Sequence, residues 1–400
     1  MIILFKFLFY FSIFFIFYTY LIFPIGVFIL YNFKKKIKNK KYYLANELPH
    51  VSCLISIYNE EKIIEQKIIS LLNSNYPKDK LHIYIGSDNS NDQSNAIVKK
   101  LAEFEKNIHF FPYQHRQGKA SVINELMLEI IQHQSIDSEH IILCTDANVL
   151  LEPNTIYNLC RNYKDPKIGL VDTRMIPGNL KAIDISQSEN NYIQLETQLK
   201  HWEGELWGCM MGAFGGCYTV RSNLMEKIPG HVIVDDFYIS MKVLEAGFSC
   251  INDLEAIANE AIPGTITEEY RRKSRISAGN FQNLAIFNHL LWSKPIVVAI
   301  CFLSHKVIRW ISPILFITTI ISSAFLAWNS NPYFTWIFII LILIFGLTPI
   351  IDKIFSRIGI NLQFLRNISY FAWMNLAVLS GFIKYCKGIK TSIWQPTLRK

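Results

Sequence analysis

Residues 2 to 31 are apolar almost without a break, and Lys6 is the single charge among them. A helix needs about 20 such residues to cross the hydrocarbon of a bilayer. A secretory signal would carry a shorter apolar stretch ending in small residues. This one runs instead into Lys34-Lys35-Lys36-Ile37-Lys38-Asn39-Lys40-Lys41. Positive charge collects on the cytoplasmic side of a span, so that cluster is expected inside and residue 2 outside. The rest of the chain must therefore fold beside a membrane.

Composition agrees with a mixed chain. Of 400 residues, 51% are hydrophobic and 18% charged, values that suit a protein part soluble and part embedded. The formal charge is +8, and much of the excess lies next to apolar runs. Anionic lipid headgroups are the expected partner. No zinc finger or aromatic-rich RNA-binding signature is present, so nucleic acid is not expected. Eight cysteines without a CxxC pair argue against a disulfide framework or a zinc site and fit a reducing compartment.

From Leu48 to about Asn288 short apolar runs alternate with amphipathic ones. The pattern predicts strands at 51–57, 81–85, 108–111, 141–144 and 168–171, with helices over 60–72 and 120–131. A further helix follows Asp235-Asp236 and ends at Gly247. Strands alternating with helices imply an α/β domain on a mostly parallel sheet. Ligands bind such sheets beyond the carboxyl ends of the strands. Asp88 and Asp146 both stand there.

The expected boundaries are a transmembrane helix at 1–33, a basic linker at 34–48 and a cytosolic domain at 49–290. An interfacial helix at 291–309, membrane segments within 310–386 and a tail at 387–400 complete the chain. Trp310 to Trp328 and Phe334 to Ile351 each approach the length of a span, with a tight turn at Asn329-Ser330-Asn331-Pro332 between them. If Ile368 to Cys386 also spans, the tail with Lys384, Lys387, Lys390, Arg399 and Lys400 falls outside, against the charge rule.

Six stretches can carry chemistry. Ser56-Ile57-Tyr58-Asn59-Glu60 closes the first strand, either as a turn capped by Asn59 or as a nucleotide contact. Ser87-Asp88-Asn89-Ser90-Asn91-Asp92 closes the second. Its Asx residues make turns for local reasons, Asp88 could accept from a base or ribose, and Asp92 could cap the next helix. Arg116-Gln117-Gly118-Lys119-Ala120 opens a helix, where cations oppose the macrodipole unless an anion binds there. Thr145-Asp146-Ala147-Asn148 offers a carboxylate and a second oxygen ligand two residues on, which suits Mg²⁺ or Mn²⁺. Asp235-Asp236 is a helix-capping pair or a proton acceptor beside a second acid that raises its pKa. Arg272 and Arg275, three apart on one helical face, can fork onto diphosphate oxygens.

In this order the motifs resemble the membrane-integrated family 2 glycosyltransferases, the cellulose-synthase-like and hyaluronan-synthase-like group. The resemblance runs from about Val51 to the end and takes in Ser304-His305-Lys306, Trp310 and Trp394. It implies a GT-A fold, a mostly parallel mixed sheet with flanking helices, and transmembrane helices toward both ends. It implies that Tyr58, Glu60, Asp88 and Lys119 contact the nucleotide, with Asp235, Arg272 and Arg275 also on the substrate. Asp146 and Asn148 stand at the metal motif, for Mg²⁺ or Mn²⁺. Asp236 stands at the catalytic base, and Gly212 to Arg221 resembles the glycine-rich acceptor-side segment. Arg272-Lys273-Ser274-Arg275-Ile276 stands at the QxxRW motif, with Arg for Gln and Ile for Trp. In polymerising members that Trp stacks on the terminal acceptor sugar, a platform that Ile276 does not supply.

The implied activity is inverting, metal-dependent hexosyl transfer from a nucleotide sugar, expected to be a UDP-sugar, to a carbohydrate or lipid-linked acceptor in cell-surface polysaccharide or glycan synthesis. The implied location is the inner membrane, multi-pass, with the catalytic domain in the cytoplasm. Two other readings stand beside it. Transferases to polyprenyl phosphate share the nucleotide and metal motifs but usually lack the Arg-rich stretch. A non-catalytic assembly or scaffold subunit would have no need of the Asp88, Asp146, Asp236 set. A transporter should carry charges or breaks within its spans, and these spans have few.

Overall fold

The computed structural model describes residues 1–34, 42–133, 139–178, 184–261, 266–329, 332–360 and 362–389. Most of the basic cluster (35–41), two residues of the expected turn (330–331) and the end of the tail with Trp394 (390–400) lie outside the described residues.

One eight-stranded mixed sheet organises the soluble part. Its strands are β1 (Val51–Ile57), β2 (Leu81–Asp88), β3 (Ile108–Tyr113), β4 (Ile141–Thr145), β5 (Val149–Leu151), β6 (Ile168–Gly178), β7 (Cys217–Arg221) and β8 (Ser249–Ala261). The spatial order is β3-β2-β1-β4-β7-β6-β8-β5. β1, β2, β3 and β4 run parallel, as do β6 and β8. β7 is antiparallel to both its neighbours, and β5 is antiparallel to β8. The parallel half has the continuous apolar runs expected of strands covered on both faces: every residue of β4 is buried, as is every residue of β1 but one.

The helices that matter here are α1 (Ile2–Lys34), α2 (Ile64–Leu72), α3 (Ser94–Phe104), α4 (Lys119–His133), α5 (Asp184–Trp207), α6 (Asp235–Glu245), α7 (Ile266–Phe287), α8 (Ile296–Trp328), α9 (Pro332–Arg357) and α10 (Gln363–Cys386). α6 ends where expected. Gly247 takes φ +82° and its N–H donates to Leu244 O, while Phe248 N–H donates to Val243 O, the paired bonds of a glycine-closed helix. α2 starts at Ile64 rather than 60, because the backbone N–H groups of Glu60 and Glu61 donate to Ser94 Oγ and Asp92 Oδ2. Asn59 does not cap α2. At φ 54° its side chain accepts from Asn91 N–H instead, tying the β1 loop to the β2 loop. Asp92 stands one residue before the N-cap of α3, Gln93, and accepts from Ser94 N–H in a local turn.

Among the described residues three helices are long and apolar enough to cross a membrane: α1, α8 and α9. Their exposed side chains are large and apolar, such as Phe7, Phe14, Ile25, Ile321, Trp336 and Ile340, as a lipid-facing surface requires. α1 packs on α8 through stacked Phe5 and Phe325, 4.0 Å apart. The helix expected to stand apart at 291–309 is not separate. Residues 296–328 run as one helical body, and its polar residues turn toward α5. α10 is not among the spans. It lies along α7, held by Ser274–Ser380 and Ser277–Val378 hydrogen bonds and by Phe281 against Phe382. Gly381 allows the contact, since a Cβ there would meet Ser274 O at 2.7 Å.

Candidate active site

The carboxyl ends of β1, β2 and β4 open into one cavity of about 1180 Å³. Tyr58, Glu60, Asp88, Lys119, Asp146, Asn148, Asp235, Asp236, Arg272 and Arg275 all line it. Every site residue expected from the sequence is thus brought to one place.

Asp88 has a structural task there. Its carboxylate accepts from the backbone N–H groups of Gln117 and Gly118, at 2.6 and 3.0 Å. Gly118 sits at φ +88°, a conformation that favours glycine, and this turns both donors toward the acid. Asp88 therefore fixes the turn that delivers Arg116 and Lys119. Arg116 in turn lies 3.7 Å over the Tyr58 ring, a cation–π contact that closes the same corner.

Lys119 reaches into the acidic centre. Its ammonium lies 2.8 Å from Asp146 Oδ1 and 3.3 Å from Asp235 Oδ2. Burial alone would lower its pKa, but Asp146 and Asp235 outweigh burial and hold it above the ordinary lysine value.

Asp236 lies beside a second acid in the same cavity. Withdrawal from water, followed by the Asp235 charge, pushes its carboxyl up to about 7, with Lys119 pulling the other way. A carboxylate that changes charge near neutral pH suits proton abstraction. The glycine-rich loop presses on it: a Cβ at Gly215 would lie 2.3 Å from Asp236 Oδ2. That loop is hung from two side chains, with Ala213 N–H donating to Ser240 Oγ and Phe214 N–H to Asp172 Oδ1. Asp172 is itself paired with Lys200 at 2.6 Å.

On α7, Arg272 lies 3.6 Å from Glu260 and 3.7 Å from Glu269. Glu260 also accepts from Asn148 Nδ2 at 3.1 Å, so the metal motif and the arginine pair are joined through one acid. Burial and the Arg272 charge push Arg275 down to about 10. Two adjacent guanidinium groups so placed favour an anion. Ile276 lines the same cavity.

The residues present fit a divalent ion. Asp146 and Asp235 already share one cation, and their donors are hard oxygens. Asn148 gives its amide nitrogen to Glu260, which leaves its carbonyl oxygen as the donor atom. Among the described residues no three His, Cys, Asp or Glu form a complete metal cluster. An ion here would draw further ligands from a phosphate-bearing substrate and from water, as Mg²⁺ and Mn²⁺ commonly do.

Several participants were not foreseen. Lys67 is fully buried under the metal motif, donating to Thr145 Oγ1 at 2.8 Å and to Val149 O. Glu260 and Glu269 hold Arg272. His305 on α8 presents Nδ1 to Glu203 and Nε2 to Glu196, each at 2.9 Å. Glu196 also meets Lys306, and Arg309 at 2.8 Å. Of these His305, Lys306 and Arg309 carried a signal, as polar residues in an apolar segment, and Ser304-His305-Lys306 fell within the family resemblance with no role attached.

Comparisons with known proteins bear on the family and the fold. The family description Glycosyl transferase family 2 matches residues 52–219, and Glycosyl transferase family group 2 matches residues 141–351, more than half of the chain. The chain belongs to glycosyl transferase family 2, on a GT-A fold with apolar helices on both sides of the soluble domain. It is 28% identical over 246 residues to the Bacillus subtilis protein named Probable glycosyltransferase YdaM, covering 58% of this chain and 56% of that one. It is 23% identical over 245 residues to poly-beta-1,6-N-acetyl-D-glucosamine synthase of Staphylococcus aureus, covering 60% and 57%. The chain thus spans a little over half the length of these relatives. Mannosyltransferase PcManGT from Pyrobaculum calidifontis, solved in complex with GDP-Man and Mn²⁺, has the same fold with a TM-score of 0.67. Its sequence is 17% identical, and the match covers 91% of this chain and 94% of that one.

Proposed function

We propose that this chain is an inverting glycosyltransferase that moves a hexosyl group from a nucleoside diphosphate sugar, of the UDP type, to a carbohydrate or lipid-linked acceptor at the membrane. The observation that carries the reading is the meeting of Asp146, Asp235, Asp236, Arg272 and Arg275 in one cavity at the sheet's carboxyl edge.

In the proposed reaction Asp236 takes the proton of an acceptor hydroxyl. The hydroxyl oxygen bonds to the anomeric carbon from the face opposite the diphosphate. The bond from that carbon to the phosphate oxygen breaks, and its electron pair leaves with the nucleoside diphosphate. One displacement inverts the anomeric centre, and no covalent sugar–enzyme intermediate is needed. Arg272 and Arg275 stabilise the charge gathering on the diphosphate. A divalent ion held by Asp146 and Asn148, Mg²⁺ or Mn²⁺, would neutralise part of that charge when bound. Tyr58 and Glu60 line the nucleotide end, and Asp88 holds the turn that brings in Lys119.

The catalytic domain, about residues 49–290, is proposed to face the cytoplasm at the inner membrane. Three spans support this arrangement. α1 would run inward, α8 outward and α9 inward again. The cluster at 34–41, Lys353, Arg357, Lys384 and Lys387 then share the cytoplasmic side with the domain. That would satisfy the charge rule, with α10 lying along α7 in place of crossing.

The test is to incubate membranes carrying the protein with a panel of labelled nucleotide sugars and size the products. Incorporation from one donor, lost in Asp236→Asn, supports the reading. No incorporation above the Asp236→Asn background from any donor counts against it.

A further inference from the structure

Lys119 bridges Asp146 of the candidate metal motif and the neighbouring Asp235. Its ammonium sits between Asp146 Oδ1 and Asp235 Oδ2, at 2.8 and 3.3 Å. The position is not one a lysine adopts for local reasons. Lys119 is the first residue of α4, where a cation opposes the helix dipole. What holds it there is the acidic set around it. Asp146, Asp235 and Asp236 line one cavity, and three carboxylates so close need positive charge nearby. Arg272 is already engaged by Glu260 and Glu269, and Arg275 feels the same three acids, but Lys119 is the cation in direct contact with two of them. Lysine is also the right residue to leave: a point charge on a flexible four-carbon stem, without the fixed fork of arginine.

We propose that Lys119 is an internal counter-cation for the metal site, filling the place between Asp146 and Asp235 until a divalent ion displaces it, and then turning its charge to the donor's diphosphate. The inference rests on the metal reading above. It makes Lys119 a positioning residue with two opposed effects. It competes with the metal when no donor is present, and it adds to donor binding once the metal is in place. The site stays charge-balanced when empty, and the metal and the donor are taken up together.

The two effects separate in a binding experiment with Mn²⁺ alone. Free Mn²⁺ is followed by electron paramagnetic resonance against the purified full chain in detergent, as wild type, Lys119→Met, Lys119→Arg and Asp146→Ala. Lys119→Met should bind Mn²⁺ about tenfold more tightly than wild type, a change of roughly 1.4 kcal/mol, within what relief of one like-charge contact supplies. Lys119→Arg should stay near wild type, and Asp146→Ala should bind most weakly. If Lys119→Met binds no tighter than wild type while Asp146→Ala still weakens binding, the metal site stands and the role of Lys119 is overturned. If Asp146→Ala binds as wild type does, the metal reading fails and takes this inference with it. A second measurement needs no variant. Acetylation of Lys119 in the wild type, read by mass spectrometry, should speed up several-fold when Mn²⁺ is added without donor. An unchanged rate overturns the displacement.

Discussion

Asp235 and Asp236 are chain neighbours with the same side chain, yet they sit in different fields. Asp235 shares the Lys119 ammonium, while Asp236 is pushed up to about 7 by withdrawal from water and by Asp235. Asp236→Asn should lower the transfer rate by about 10²–10⁴, the range for losing a positioned proton acceptor, with donor affinity kept. Equal loss of donor binding, measured by calorimetry, would remove Asp236 from that role. The same carboxyl links stability to pH. Its folded pKa lies above the unfolded value near 4, so the folded state holds a proton that the unfolded state has released. Stability from this group is complete below the unfolded value and is lost as pH rises through about 7. Without metal, the melting temperature of Asp236→Asn should therefore rise relative to wild type as pH goes from 4.5 to 8. A constant difference would show that the shift is absent. Gly215→Ala is a third test at this scale. The added Cβ would meet the tip of the Asp236 side chain at 2.3 Å. The side chain must turn away, so kcat should fall while the melting temperature changes little.

At the scale of elements, strands predicted from apolar runs are present wherever the run is buried on both faces, as in β1, β2 and β4. β5, β7 and β8 escaped prediction. β7 is five residues and merges with the glycine-rich loop, and β8 carries Asn252, Asp253, Glu255, Asn259 and Glu260. Two of them meet partners distant in the chain, Asp253 with Arg161 and Glu260 with Asn148, and no local pattern reveals that. The link between α8 and α5 is of the same kind. His305 and Glu203 are both fully buried and 2.9 Å apart, and Met211 N–H donates to Glu203 at 3.4 Å. The apolar helix α8 is thereby tied to the loop that touches Asp236. Removing one member of a buried pair costs about 3–5 kcal/mol, so His305→Leu should lower the thermal stability of the detergent-solubilised chain. The His305→Leu, Glu203→Leu double variant should lose less than the two single changes added. Strict additivity would mean that the pair is not coupled.

For the whole molecule, the open question at sequence level was the last apolar segment, which broke the charge rule if it spanned. α10 instead buries Ser369, Tyr370, Ala372, Asn375, Ala377 and Gly381 and follows α7. Cys386 at its end is exposed, and the other seven cysteines are buried. A membrane-impermeant maleimide should therefore label Cys386 in inverted vesicles and not in right-side-out ones. Labelling only from the outer side would place α10 across the bilayer and reverse the proposed arrangement of the tail.

The chain's own order of residues determined the long apolar helix at its start, the alternation of strands and helices, and the acids at strand ends. All of these are set by period, length and neighbours within one or two turns. Only the folded structure decided that Asp88 serves a backbone turn, that Glu260 joins Asn148 to Arg272, and that Lys119 stands between two acids. Each depends on a distance of a few ångströms between residues far apart in the chain, and charge interactions fall off with distance in space, whatever the separation along the chain.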